Sequence, residues 1–200
     1  MERAARLDHN VIVRLIPEKS KVLDLGCGDG ALLEKLREKR HINGRGIEIS
    51  EIGVKQCISK GLTVFQGDLD EGLRDIPDSS FEFVILNQTL QAVKKPDLVL
   101  SEMLRVGRKG IVGFPNFGYW KVRSYLLLRG EMPKTRSLPF EWYNTPNIHF
   151  FTIKDFVSFC RGNGIQIEKK VYFSTEGGGR ILGGAMPNLF AEHAILVVSH

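Results

Sequence analysis

Cysteine is scarce in this sequence, and Cys27, Cys57 and Cys160 are odd in number, far apart and without a Cys-x-x-Cys pair. That scarcity excludes a disulfide framework and the spacing of a zinc or thiol-redox site, so no metal is expected, and it suits a reducing compartment. Long apolar runs are missing as well: no stretch approaches the ~20 residues of a membrane-spanning helix. Positions 1–21, MERAARLDHNVIVRLIPEKSK, carry charge throughout and lack the apolar centre of a signal peptide. These absences lead us to expect a cytoplasmic protein with no membrane attachment. No internal repeat or low-complexity tract is evident, which excludes solenoid and fibrous architectures. Charge of one sign is not concentrated anywhere. The 28 Lys and Arg exceed the 23 Asp and Glu, for a net +5, but are mixed with them along the chain. No nucleic-acid partner is therefore expected.

What is present is ordinary for a globular protein: 42% hydrophobic and 26% charged residues over 200 positions, enough to bury one continuous core. We expect a single domain over 1–200. Lys21 to Leu25 is an apolar strand running into Gly26-Cys27-Gly28-Asp29-Gly30, and Ala31 to Arg40 carries Leu32, Leu33 and Leu36 at helical spacing. Strand and helix patterns then alternate: strand 43–49, helix 51–60, strand 62–66, strand 81–86, helix 96–106, strand 110–114. Such alternation implies an α/β fold with a mostly parallel sheet covered on both faces. After Pro115 the regularity fails, and residues 116–149 read as an insertion over the sheet edge. Thr152 then caps a helix to Cys160, with Asp155 placed to close a capping box. Strands at 165–173 and 193–198, joined by a glycine-rich loop at 177–184, have no crossover helix between them and should pair antiparallel. The expected total is seven strands ending in an antiparallel hairpin.

Open parallel sheets bind ligands beyond the carboxyl ends of their strands, which puts the first glycine turn at the centre of the chemistry. Gly26, Gly28 and Ala31 fit a loose dinucleotide pattern, so the glycines alone separate neither NAD nor S-adenosylmethionine (SAM). Charge favours SAM: Asp24 and Asp29 flank the turn, where carboxylates repel a pyrophosphate and suit an ammonium group. Glu48 ends the second strand, placed for ribose hydroxyls of either ligand. Asp68 ends the third, placed for an adenine amino group. Against this, Asp29 can serve only as a helix cap, Asp68 likewise, and Cys27 reads better as a small buried residue than as a nucleophile.

Asn87-Gln88-Thr89-Leu90-Gln91 follows the fourth strand, where amides either orient a methyl acceptor or simply solvate a loop. The insertion combines Tyr119, Trp120, Trp142 and Tyr143 with Arg123, Arg129 and Arg136, a composition suited to a partner interface or a substrate lid. Val122, Tyr125, Leu126 and Leu128 read alternatively as one helix packed on the sheet. His149 could act as a base near neutral pH, although a lone histidine is more often structural.

The segments VLDLGCGDGALL, GLTVFQGDLDEGL, FVILNQTLQAV, EMLRVGRKGIVGFPNFGYW and LLLRGEMPKTRSLPFEWYNTPNIHF together resemble the methionine-biosynthesis family MetW, from about residue 18 to 173. The resemblance implies a Rossmann-like class I SAM methyltransferase fold and a role beside the homoserine O-acyltransferase MetX. It supplies no methyl acceptor and no catalytic residue. Carried over by motif, it implies SAM contacts at Asp24, Gly26, Cys27, Gly28, Glu48, Ile49, Asp68, Leu69 and Asn87. Ser50 stands where the family pattern leads us to expect an acid, and Tyr119 where we expect histidine. The expected function is a SAM-binding protein acting with or regulating MetX, with a stand-alone methyltransferase of a small metabolite as the alternative.

Overall fold

A computed structural model describes residues 2–135, 137–174, 180–181 and 186–200; Arg136 and most of the glycine-rich loop at 177–184 lie outside the described residues. The chain opens with helix α1 (Glu2–Leu15) and then alternates as β1 (Lys21–Leu25), α2 (Ala31–Arg40), β2 (Asn43–Glu48), α3 (Glu51–Ser59) and β3 (Thr63–Gln66). A single 3-10 turn, Leu69–Glu71, leads to β4 (Phe81–Asn87), α4 (Pro96–Val106) and β5 (Gly107–Pro115). Helix α5 (Trp120–Arg129) belongs to the insertion. The chain closes with α6 (Ile153–Gly162), β6 (Gln166–Ser174), β7 (Arg180–Ile181), α7 (Pro187–Phe190) and β8 (His193–Ser199).

One sheet runs in the order β3-β2-β1-β4-β5-β8-β6-β7. Strands β1 to β5 are mutually parallel, while β8 pairs antiparallel with both β5 and β6. The seven anticipated strands are all present; the eighth, β7, has two residues, too few for a periodicity to register. Central β1 is buried from Val22 to Leu25 because helices cover both of its faces.

Each face has its own core. Helix α1 lays Val11, Ile12 and Ile16 against Val22, Ile85, Ile111 and Ile195, together with Leu32, Leu33 and Leu36 of α2. The opposite face packs Leu23, Leu86, Val112 and Leu196 under α4 and α6. Helix α4 starts on Pro96, which supplies a preset φ and needs no amide partner there.

Three features depart from expectation. Helix α1 was not foreseen. The link from β3 to β4 has only its 3-10 turn, so one face at that end of the sheet is bare rather than covered; Phe65 is half exposed, and Leu23 and Ile47 floor an open hollow of about 610 Å3. Within the insertion, the 122–128 residues do form a helix, but only Val122 is buried. Leu127 and Leu128 stand 84% and 81% exposed, so α5 does not pack its leucines on the sheet.

The capping box that starts α6 is present: the Asp155 amide donates to Thr152 Oγ1 at 3.3 Å and the Thr152 amide to Asp155 Oδ2 at 2.9 Å. Because α6 buries Ile153, Phe156 and Cys160 in the core, its first turn is coupled to global stability. Thr152→Ala is expected to lower unfolding free energy by about 1 kcal/mol, read as a lower urea midpoint at unchanged m-value. A midpoint equal to that of the parent would contradict this.

Candidate functional site

The site is built on backbone geometry that only glycine supplies without strain. Gly26, Gly28 and Gly30 have φ of 73°, 57° and 77°. With them the chain folds back from β1 into α2 while the amides of Gly26 and Cys27 donate to the Ile47 carbonyl at 2.8 and 3.1 Å, tying the turn to β2. A methyl on Gly26 would stand 2.7 Å from the Thr89 side chain, whereas one on Gly28 would meet nothing within 4 Å. The turn is packed behind and open in front.

Glu48 locks this arrangement. Its carboxylate accepts from the Gly28 amide and from the Ser50 amide, each at 2.8 Å, so one side chain joins the glycine turn to the start of α3. The close approach requires Gly53 on α3, where a Cβ would stand 2.8 Å from the Gly28 carbonyl oxygen and 2.9 Å from Glu48 Cγ.

Asp24 is buried beneath, and burial together with the neighbouring Glu48 charge pushes its carboxyl up to about 7. A third carboxyl comes from α1: Asp8 is buried over the end of β4, where Asn87 Nδ2 donates to its Oδ2 at 3.0 Å. Burial raises Asp8 to about 6, against the lowering effect of that bond and of the His9 amide. Register places Asp24, Ile85 and Asn87 on the α1 face, since Asp24 pairs with Ile85 and Asn87 lies two residues further along β4. None of the ion pairs among the described residues involves Asp8, Asp24 or Glu48.

Of the residues that the sequence singled out, Asp24, Gly26, Gly28, Glu48 and Asn87 converge on this turn. Ile49, 62% exposed, follows directly. Asp68 lies at the end of β3 and accepts from the Asp70 amide at 2.9 Å, so it caps the 3-10 turn. Leu69 and Cys27 turn their side chains into the two cores and can offer a ligand only backbone. Cys27 Sγ lies 3.8 Å from Cys57 Sγ, and burial pushes its thiol well up, which leaves it no thiolate.

Asp29 belongs to a different circuit. Gly30 is the N-cap of α2, while Asp29 accepts from the Ala31 amide at 3.1 Å and pairs with Lys60 Nζ at 3.1 Å. Partial burial raises its pKa, but these two partners outweigh it and hold the carboxyl below its ordinary value. Its charge is thus compensated, and the acid that flanks the turn in its stead is Asp8. Sequence reasoning missed Asp8, although it shares a helical stripe with Ile12 and Ile16. It also missed His193 on β8, whose Nδ1 lies 3.3 Å from Gln88 Nε2 and whose ring stacks on Phe173. Burial pushes His193 down to about 4, so it is neutral at pH 7.

The insertion sits beyond the ends of β4 and β5. Tyr119 is buried with Val122 and Leu138 and braces it from within rather than facing outward. Arg123 Nε donates to the Gly118 carbonyl at 2.6 Å, and Arg129 lies over the Tyr125 ring at 5.0 Å. Trp120 is partly exposed under Lys121, while Trp142 and Tyr143 are 75% and 69% exposed and meet edge to face.

A doubly wound sheet of this order, with the glycine turn after β1 and an acid ending β2, is the class I SAM methyltransferase fold. Solved structures agree. A SAM-dependent methyltransferase of Thermotoga maritima superposes with a TM-score of 0.69 at 18% identity, over 97% of this chain and 89% of its own. The cyclase SpnF does so with 0.67 at 15% identity, over 96% of this chain and 79% of its own, so the fold by itself leaves the reaction open. The chain belongs to the MetW family: residues 6–198 match the family described as methionine biosynthesis protein MetW. The bifunctional methionine biosynthesis protein MetXA/MetW of Rhodopirellula baltica is 37% identical over 199 residues, 95% of this chain, which spans only 32% of that relative.

The raised pKa of Asp24 carries a stability consequence with a definite sign. Below pH 4 Asp24 is protonated both folded and unfolded; as pH climbs toward 7 the unfolded chain ionises it and the folded chain resists, so folding loses up to ~4 kcal/mol at this position. Asn cannot ionise. The stability of Asp24→Asn relative to the parent is therefore expected to rise steadily between pH 4 and 8 in urea titrations, and a difference independent of pH would refute the assignment.

Proposed function

We propose that this chain is a cytoplasmic SAM-binding protein of methionine biosynthesis, one methyltransferase-like unit with an insertion at 116–149, that acts with or regulates the homoserine O-acyltransferase MetX. The observation that carries the cofactor is the cluster of Asp8, Asp24 and Glu48 around an open glycine turn, with no basic side chain paired to any of them among the described residues. Buried carboxylates demand a cation, and SAM brings both an ammonium and a sulfonium, whereas a pyrophosphate would be repelled. The free space in front of Gly28 suits its methionyl chain. Glu48 is placed for the ribose hydroxyls, exposed Ile49 for an adenine face, Asp68 for the adenine amino group and Asn87 for the sulfonium end. Bound there, SAM supplies an electrophilic methyl; the chain's own residues hold and orient it.

The partner reading rests on two supports. The Rhodopirellula relative unites MetXA and MetW in one polypeptide. Independently, the insertion exposes Leu127, Leu128, Trp142, Tyr143, Ile148 and Phe150, more contiguous apolar surface than a chain without a partner ordinarily shows. Trp and Tyr in such a position are the usual anchors of an interface. A second reading, methyl transfer to a small metabolite, is favoured by neutral His193 beside Gln88 at the end of β4, where an acceptor would approach the methyl.

Calorimetry and thermal shift against SAM and NAD test the cofactor. At a hundredfold excess over Kd, SAM is expected to stabilise the fold by about 2.7 kcal/mol, NAD not at all, and Gly28→Arg is expected to abolish the effect. NAD binding in preference to SAM would overturn it. For the partner, MetX is expected to co-purify with the parent chain, and Trp142→Ala/Tyr143→Ala to weaken the complex at least ~30-fold. Absence of a complex, with acyltransferase activity unaltered by this chain, removes that reading.

A further inference from the structure

We propose that residues 87–91 couple the glycine-turn pocket to the exposed face of the insertion, so that a ligand seated in the pocket alters the packing of residues 147–149. The proposal rests on the pocket being a SAM site. It names the chain segment through which occupancy would reach the docking face.

The segment touches both ends. On the pocket side, Thr89 is pressed so closely against Gly26 that the turn has no room for a methyl, and Asn87 holds Asp8 of α1. On the insertion side, the Gln91 carbonyl accepts from both the Ile148 and His149 amides, at 2.9 and 3.0 Å. Between them runs a continuous set of bonds. Thr89 Oγ1 donates to the Asn87 carbonyl at 3.0 Å, the Ala92 amide to the Thr89 carbonyl at 2.8 Å, and Gln91 Nε2 to the Gln88 carbonyl at 2.8 Å. Movement at Asn87 therefore cannot stay local.

The segment is also held under tension in its present arrangement. Gln88 has φ 57°, a left-handed conformation that a residue with a Cβ adopts only when its surroundings impose it. Among the described residues, four buried polar side-chain atoms have no hydrogen-bond partner: Asn87 Oδ1, Gln91 Oε1, His149 Nε2 and His193 Nε2. Two lie in the segment. The other two belong to residues directly bonded to it, His193 through Gln88 and His149 through Gln91. Unpaired buried polar atoms are uncommon, and their concentration on one short segment marks a place where a second arrangement satisfies more of them. Asn87 Oδ1 is the atom nearest the pocket. It lies over Gly113, where a side chain on β5 would overlap it, so the room it occupies exists only because that position is glycine.

The measurement is amide hydrogen exchange followed by NMR, with SAM binding read by calorimetry on the same samples. Saturating SAM is expected to slow exchange of the Ile148 and His149 amides about tenfold, because both donate to the segment that the ligand locks. In Gln91→Ala, which removes the brace to Gln88, SAM is expected to bind within about threefold of the parent Kd while the slowing at 148 and 149 disappears. Both tryptophans of the chain, Trp120 and Trp142, lie in the insertion, so their emission gives a second readout that the pocket cannot produce directly. SAM binding without any change at 148 and 149, or slowing retained in full by Gln91→Ala, would overturn the coupling and leave the cofactor reading intact. Should Gln91→Ala not fold, the comparison of parent chain with and without SAM decides alone. No heat of binding at all would remove the cofactor reading, and the coupling with it.

Discussion

The Glu48 carboxylate is the point on which the arrangement turns. By accepting from Gly28 and Ser50 it closes the β1–α2 and β2–α3 connections against each other, and the positive φ values of the glycine turn are tolerable because both ends are pinned. Gly53, which no part of the turn motif requires, exists to let that carboxylate and the Gly28 carbonyl come close. The same side chain penalises Asp24 beneath it by charge, so the structure that makes the turn rigid also makes it electrostatically demanding. Rigidity and ligand preference have one cause.

Much of this was legible in the sequence because the relevant signals are local. Strand and helix periods located seven strands, Pro96 opened α4, and Thr152 with Asp155 marked the start of α6. Gly26, Gly28, Glu48 and Asn87 come together as their strand-end positions imply. What escaped has physical reasons. Helix α1 is so rich in charge that its Val11, Ile12 and Ile16 stripe was passed over, and Asp8 was lost with it. Asp29 looked like part of the pocket because Lys60 lies thirty-one residues away and no local pattern announces that pair. His193 joins the site through a strand inserted between β5 and β6, a long-range placement that spacing cannot convey. The leucines of α5 have the composition of a core helix, and only tertiary structure reveals that nothing in the described chain covers them.

The two acids that expectation and structure treat differently show how charge should be weighed at such turns. An acid beside a glycine motif is informative only when its counterion is unknown; Asp29 has Lys60, whereas Asp8 has an amide. Proximity to the motif is a poorer guide than the absence of compensation.

The sheet also constrains how this chain can meet another. Its order ends on β3 at one side and β7 at the other, strands of four and two residues. So short a border leaves few free peptide groups for a foreign strand to extend. Any association must then be made with side chains on helices and loops, which favours recognition that is specific to sequence over the indiscriminate addition that backbone pairing permits.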